Sequence, residues 1–323
     1  MGRYQERVST LYLAPLRRRM TAALLVLISL AFAWSMGAHY TGAVMGMPFA
    51  AHVIRLRTAL LSLAVLTVVG AAVASEGVQR TVGHEILLGG HVSIRTLIVV
   101  EIGAFALTTA YTYAKVPTST IQILVFCLVG AGVAAGLRVD WWTIGRLAVV
   151  WVLAPPVAVG LGYVFTRGLD RLPLTDAGAE RLKVLPHLLV GVGLAASFTL
   201  GANDVSNAVG VWASVKLTPL LVAGLAGGVA MAIGALTWGQ RILRRVAFDV
   251  VTMDLRMASA AQLVQAVVVL LAVAQGLFTS MNQALIGAML GAGLARSRSG
   301  SLGNLPGKSR GRPASRATSD RDH

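Results

Sequence analysis

Charged residues are scarce in this sequence. Asp, Glu, Lys and Arg together make up only 13% of its 323 residues, whereas they approach about a quarter of an ordinary soluble domain. Hydrophobic residues make up 56% of the chain, and the mean hydropathy is +0.73. These values lie well outside the range of soluble domains, so the composition indicates a protein whose solvent is the lipid bilayer.

Cysteine and acidic residues are scarce as well. Cys127 is the single cysteine, so no disulfide can form within the chain. The 13 acidic residues face 28 basic ones, which gives a net charge of +15. More than half of this excess lies in residues 1–20 and 296–323. Basic ends are typical of the cytoplasmic termini of an inner- or plasma-membrane protein, and without a folded patch interleaved with aromatic residues they predict no nucleic-acid partner.

Long apolar runs are abundant. Several approach or reach the roughly 20 residues that a helix needs to cross a bilayer; they cover residues 21–38, 58–74, 96–111, 144–165 and 258–274. The runs are continuously apolar rather than alternating, so they predict helices and not barrel strands. The expected fold is an all-α polytopic membrane protein with about nine to twelve membrane segments.

The second half of the chain repeats the first. Residues 37–46 align without a gap on residues 201–210, at a separation of 164 residues, and residues 118–132 match residues 279–293 at a separation of 161. Two constant separations held over long stretches predict two degenerate transporter repeats. The predicted organisation is a basic tail (1–19), repeat one (20–138), a linking helix with a charged loop (139–184), repeat two (185–296) and a disordered basic tail (297–323).

A polar segment interrupts an apolar stretch of the second repeat. Asn203 and Asn207 lie four residues apart and Asp204 and Asn207 three apart, so on a helix their oxygen atoms can face one cavity. Polar groups at membrane depth are expensive and therefore suggest function. We predict a cation site for a sodium ion or a proton here, with Gly201 breaking the helix and freeing backbone carbonyls. The alternative is that Asp204 only caps a helix outside the bilayer.

A second paired element consists of hydroxyl residues before apolar helices. Ser119 and Thr120 in the first half correspond to Thr279 and Ser280 in the second. Hydroxyl groups and free backbone N–H groups at a helix N-terminus bind anions, so two such termini could hold one tetrahedral oxyanion between them. The alternative is two ordinary N-caps.

Four further residues are candidates for coupling or support. Glu101 lies within an apolar run and is either a proton-linked or a structural carboxyl group. His39 titrates near neutral pH when unperturbed and either takes a proton or only fills space. Gln122 and Gln283 follow the two hydroxyl elements at matching positions. Small-residue patterns at 130–136 and 287–291 predict close helix packing.

Residues 201–208 read Gly-Ala-Asn-Asp-Val-Ser-Asn-Ala, which resembles the signature of the inorganic phosphate transporter (PiT) family. Residues 117–122 and 278–283 look like eroded versions of a second motif of that family. The resemblance implies cation-coupled uptake of phosphate by alternating access, with sodium or protons as the driving ion; some members carry sulfate. The chain departs from the family at His39-Tyr40 and Ala43, at Gln122 and Gln283 in place of two His, and at Gln262 in place of a Glu.

We therefore expect a secondary active symporter of inorganic phosphate, without any cofactor other than a sodium ion or proton as coupling ion, and with phosphate or sulfate and the lipid bilayer as partners. The departures make a full set of two sodium sites doubtful. Two alternatives stay open, a sulfate or other oxyanion permease and a non-transporting membrane scaffold or sensor, and so does a homo-oligomer. An enzyme is not expected, because no nucleophile, base and orienting group can be assembled from the motifs.

Overall fold

The computed structural model describes residues 2–88, 92–114, 116–172, 184–249 and 253–300, with side chains from residue 15 onward except 245–249 and 298–300. Nearly all of the described chain is helical. The helices are α1 (Gly2–Ala50), α2 (Leu56–Ala74), α3 (Glu76–Arg80), α4 (Ile94–Ala114), α5 (Thr120–Ala134), α6 (Trp141–Arg171), α7 (Val184–Val209), α8 (Val211–Ser214), α9 (Leu220–Gly234), α10 (Gln240–Asp249), α11 (Leu255–Val273) and α12 (Met281–Gly300).

Short irregular elements complete the fold. Two π-helical turns, Thr81–Glu85 and Ala235–Gly239, follow α3 and α9. Two strands of two residues each, β1 (Leu87–Leu88) and β2 (Arg138–Val139), pair antiparallel near the start of α6. The structure is thus an all-α protein, as predicted.

Seven described helical segments are long and apolar enough to cross a membrane. They are α1 from Pro15, α2, α4, α6, α7, the stretch from α9 into α10 as far as Arg244, and α11. The five apolar runs predicted as membrane spans fall on α1, α2, α4, α6 and α11. Among the described residues, α5 is a further, shorter apolar helix.

The predicted terminal tails and the charged loop lie partly outside the described residues. α1 begins at Gly2, so the basic residues of the N-terminal tail continue directly into the first apolar span. α12 ends at Gly300, and residues 301–323 of the predicted disordered tail lie outside the described residues. Residues 173–183 of the charged loop also lie outside them.

The helix crossings follow the same separation of 164 residues that relates the two halves of the sequence. α1 packs against α9, and α2 packs against α7. A Cβ atom added to Gly37 would lie under 3.0 Å from the backbone of Met231, and one added to Gly201 would lie equally close to the backbone of Thr67. Gly201 is the counterpart of Gly37, and Met231 is the counterpart of Thr67.

The predicted helix break at Gly201 is wrong. α7 runs without interruption from Val184 to Val209 and passes through Gly201. The missing side chain serves packing instead, because it lets the backbone of α2 approach α7 at Thr67.

The actual interruptions lie in two helical hairpins. The described residues 116–119 between α4 and α5 have no regular secondary structure, and a turn followed by irregular residues 277–280 connects α11 to α12. α4 packs against α1 and α5, while α11 packs against α7 and α12. The two hairpin tips meet beside α1 and α7.

The two hairpins differ in what supports them. α6 packs along α11 and α12, and a Cβ atom added to Gly287 would lie 2.6 Å from the carbonyl oxygen of Pro155 in α6. Predicted close packing is therefore confirmed for residues 287–291. It is wrong for Gly130 of α5, where a Cβ atom would meet nothing within 4 Å.

Candidate functional site

The polar residues predicted from the sequence converge where the hairpin tips meet α1 and α7. α7 supplies Asn203, Asp204 and Asn207, and each of these side chains has 0% exposure. The tip residues are buried as well: Thr120 and Ser280 at 0%, Thr279 at 1% and Ser119 at 6%. The conformation is thus closed to solvent at this point.

Asp204 lies at the centre of the polar cluster. Its carboxylate accepts hydrogen bonds from Asn203 Nδ2 at 2.9 Å, from Asn207 Nδ2 at 3.4 Å and from Thr120 Oγ1 at 3.5 Å. None of the ion pairs within the described part of the chain includes Asp204. A buried carboxylate without a cationic partner is a place where a cation binds favourably.

The oxygen atoms around Asp204 divide into two kinds. Asn203 Oδ1 accepts the backbone N–H of Thr279 at 3.4 Å, and its Nδ2 donates to the Thr279 carbonyl at 3.0 Å. Asn203 thus fastens the tip of the α11–α12 hairpin to α7. In contrast, Asn207 Oδ1 is buried without a hydrogen-bond partner among the described residues, so it is the amide oxygen that is free to join the carboxylate as a ligand of a hard cation.

The first repeat reproduces half of this arrangement. His39 Nε2 lies 3.4 Å from the carbonyl oxygen of Thr118, the counterpart of the contact between Asn203 and Thr279. Tyr40 takes the place of the second carboxylate, and its hydroxyl lies 2.9 Å from Thr120 Oγ1. The described site therefore has a single carboxylate, Asp204.

The two candidate anion-binding elements sit tip to tip. Ser119 Oγ accepts the backbone N–H of Gln122, and Ser280 Oγ accepts that of Gln283, each at 3.3 Å. Both serines are thus N-caps. Gln283 Nε2 donates to Gln122 Oε1 at 3.5 Å, so two residues at matching positions of the repeats face each other.

Spare hydrogen-bonding capacity remains at this junction. A serine hydroxyl that accepts a hydrogen bond still has a proton to donate, and Thr279 Oγ1 and Gln283 Oε1 are buried without partners among the described residues. The N-termini of α5 and α12 add backbone N–H groups and the positive ends of their helix dipoles. The arrangement combines hydroxyl donors, amide groups and helix termini, which suits a tetrahedral oxyanion.

Asn282 is a site residue that the sequence analysis missed. Its Nδ2 donates to the Thr118 carbonyl at 2.8 Å and lies 3.3 Å from His39 Nε2. It therefore links the tips of the two hairpins. Its counterpart in the first repeat is Ile121, so the internal repeat gave no signal for it.

Glu101 does not join the cluster. It lies on α4, and its carboxyl group is fully buried without a hydrogen-bond partner among the described residues. His39 and both glutamines do reach the hairpin tips.

Comparison with known proteins gives a consistent result. The sequence profile of the phosphate transporter family matches residues 36–190 and 174–310 of this chain. The chain is 29% identical over 223 residues to the sulfate permease CysP of Bacillus subtilis, a match that covers 68% of this chain and 62% of that relative. It thus spans less than two thirds of the length of that relative.

Two further matches cover more of the chain. It is 28% identical over 293 residues to a probable low-affinity inorganic phosphate transporter of Mycobacterium bovis, with 84% of this chain and 68% of that protein covered. A solved structure of a sodium-dependent phosphate transporter matches with a TM-score of 0.78 at 20% identity, over 86% of this chain and 90% of that chain. This structural likeness shows that the two chains share a fold.

Proposed function

The chain belongs to the phosphate transporter family, and from this premise we propose that it carries inorganic phosphate across the membrane together with a cation bound at Asp204. The family consists of transporters and not of enzymes, as the sequence analysis expected. The observation that carries the proposal is the meeting of two helix N-termini at Gln122 and Gln283, next to the buried Asp204 carboxylate.

The anion is proposed to bind between Ser119 and Ser280. Both hydroxyl groups and the unpartnered Thr279 hydroxyl are available as donors. Among the described residues, no Lys or Arg side chain donates a hydrogen bond to the hairpin tips. Helix termini and hydroxyl groups would therefore stabilise the bound anion. A site of this kind holds an anion without the permanent positive charge that would trap it.

The cation is proposed to bind beside Asp204, with Asn207 as an additional ligand and Asn203 positioning the hairpin tip. Asp204 and a dianion in one closed site repel each other strongly at low dielectric. A bound cation removes much of this repulsion, so cation and anion bind together more favourably than either alone. This is the physical basis of symport in the proposal, and the sodium dependence in the name of the structural neighbour is in keeping with it.

Phosphate is favoured over sulfate by the hydrogen-bond acceptors at the site. At neutral pH a phosphate ion still has a proton to donate, whereas sulfate only accepts. Asp204 and the unpartnered Gln283 Oε1 are acceptors near the hairpin tips. These acceptors can accept a hydrogen bond from the proton of phosphate. Sulfate has no proton to donate, so its oxygen atoms and these acceptors repel each other.

Transport requires this closed site to open on each side in turn. We propose that the two repeats, residues 20–138 and 185–296, rock against each other about the crossings at Gly37 and Gly201. The matching contacts at these glycines support the repeat assignment. The hairpin tips would separate on the side that opens.

Uptake of labelled phosphate into proteoliposomes tests the proposal, with sodium and proton gradients imposed separately. Gradient-dependent uptake is expected, and Asp204→Asn should abolish it. Asp140→Asn is a matched control, because Asp140 caps α6 by accepting the N–H of Trp142, and asparagine caps equally well. Full gradient-driven uptake by Asp204→Asn would sink the mechanism.

The second candidate is a sulfate or related oxyanion permease, which the similarity to a sulfate permease favours. Competition separates the two: an excess of sulfate should leave phosphate uptake nearly unchanged if phosphate is the substrate, and should block it if sulfate is. A folded protein that moves and binds neither anion would instead be a membrane scaffold or sensor.

A further inference from the structure

Glu101 is a buried carboxyl group that takes no part in the proposed anion and cation sites. Its exposure is 0%, and both of its oxygen atoms lack a hydrogen-bond partner among the described residues. Gln262 occupies the equivalent position of the second repeat and is tied down by hydrogen bonds to Gln265 Oε1 and to the Ala43 carbonyl. The Oε1 atom of Gln262 has no hydrogen-bond partner among the described residues either, so the repeats differ in that the second holds a neutral amide anchored through its Nε2 where the first holds an acid.

The surroundings of Glu101 offer no compensating charge. α1 and α5 pack against α4. From α1 the Ser29 hydroxyl lies near the carboxyl group while accepting Trp212 Nε1 at 3.0 Å, and from α5 the titratable Cys127 thiol faces it. Within the described residues, no ion pair contains Glu101. A carboxylate anion buried in this way would be strongly disfavoured.

A stripe of hydroxyl groups begins at Thr108, about two helical turns beyond Glu101 and past Ala104, and runs towards the anion site. Thr108 and Thr112 follow Glu101 on the buried face of α4, and Thr108 Oγ1 has no partner among the described residues. At the same interface Ser35 of α1 lies 3.0 Å from Thr109 Oγ1, and His39 Nδ1 lies 2.8 Å from Thr112 Oγ1. Eleven residues of helix separate Glu101 from Thr112, a rise of about 16 Å.

The far end of the stripe contacts the hairpin tips. His39 is the titratable group that α1 turns towards α4 at this end, with Tyr40 beside it and Asn282 contributed by α12. Movement of the α4–α5 hairpin would therefore change both the anion site and the surroundings of Glu101, since the hairpin carries parts of both.

We propose that Glu101 is a proton-binding site of this carrier, separate from Asp204 and linked to the anion site by the hydroxyl stripe between α1 and α4. The carboxylate accepts one proton from the side with the higher proton concentration, and the O–H bond breaks again when the hairpin opens the group to the other side. One proton thus enters with each anion. The transport part of this inference rests on the proposed function, but the presence of a protonated Glu101 does not.

Chemical labelling tests the proton site without any transport. Dicyclohexylcarbodiimide enters the bilayer and forms an adduct with protonated carboxyl groups in apolar surroundings. Mass spectrometry of the membrane-embedded full-length protein should find this adduct on Glu101, and Glu101→Gln should remove it. Glu76→Gln is the matched control, because the Glu76 side chain is 63% exposed and paired with Arg80. A folded wild-type protein that stays unlabelled at Glu101 overturns the proposal.

Phosphate uptake then tests coupling. For one coupled proton, an inward gradient of about one pH unit should raise phosphate accumulation about tenfold. In Glu101→Gln this stimulation should disappear, while exchange of labelled for unlabelled phosphate, which needs no net proton movement, should persist. A variant that keeps the full stimulation overturns the proposal.

Two further readouts keep the tests separable. Thr108→Val interrupts the stripe without touching the carboxyl group, so it should slow proton-driven uptake and leave the labelling of Glu101 unchanged; this variant serves if Glu101→Gln does not fold. If wild-type protein moves no phosphate while Glu101 is labelled, the proposed function fails and the proton site stands.

Discussion

At the scale of single residues, Asp204 decides the electrostatics of the site. It is the carboxylate at the hairpin tips, and its hydrogen bonds come from neutral amide and hydroxyl groups. Neutral donors orient a carboxylate but leave its charge in place. Because the described partners of Asp204 are neutral, its negative charge is balanced by an ion that binds beside it. Symport requires this dependence on a bound cation.

The first prediction concerns the removal of this charge. Asp204→Asn keeps the size of the side chain and one acceptor, so the fold should survive, but the cation loses its anionic ligand. A lost charged ligand corresponds to about 1.5–3 kcal/mol, or about ten- to a hundredfold in apparent cation affinity. The measurement is the cation concentration that half-saturates binding to the purified protein, since gradient-driven uptake by this variant is expected to be lost. An unchanged value would place the cation elsewhere.

The second prediction restores the first repeat. His39→Asn, Tyr40→Asp and Ala43→Asn together recreate there the residues found at 203, 204 and 207. If sodium is the coupling ion, a second carboxylate site should raise the Hill coefficient of its dependence from about one to about two, since that coefficient is limited by the number of sites. The control Tyr40→Phe removes only the hydroxyl group and should leave it near one. A triple variant that transports with an unchanged coefficient contradicts the assignment.

At the scale of helices, close backbone approach holds the two halves together. The α2–α7 crossing depends on Gly201, because a Cβ atom there would collide with the backbone of Thr67 and not with a flexible side chain. Backbone atoms in two packed helices cannot move aside cheaply. A single methyl group at this position therefore forces the helices apart.

The third prediction follows from this crossing. Gly201→Ala should destabilise the protein by about 1–3 kcal/mol or more, the usual range for overpacking. Gly130→Ala is the matched control, since a Cβ atom there meets nothing within 4 Å on helix α5, and alanine favours helix formation. Thermal unfolding in detergent measures both. Equal melting temperatures for the two variants would show that the crossing tolerates a side chain.

At the scale of the whole molecule, the sequence predicted the bilayer, the helices and the residues that gather at the site. These features depend on composition and on local spacing, which a sequence displays directly. The role of Gly201 was misjudged because a glycine inside a polar segment indicates a break and a helix contact equally well. Asn282 was missed because its role depends on the approach of two hairpins, and no local pattern encodes that distance.

The contact between the hairpin tips closes the site and joins the two repeats. Gln122 and Gln283 belong to opposite repeats, and their side-chain amides meet at 3.5 Å. If the repeats rock to open the site, these two positions must separate. If they stay in contact throughout the cycle, the site must open by another route.

The last prediction tests this separation. In a Cys127→Ser background, which has no other cysteine, cysteines placed at Gln122 and Gln283 should be joined by a short bifunctional thiol reagent. The link should hold the tips together and block phosphate uptake, because neither side can open. A reducible linker should restore uptake when it is cleaved, and each single-cysteine variant treated in the same way should retain it. Continued uptake by the fully linked protein would mean that transport does not require the tips to part.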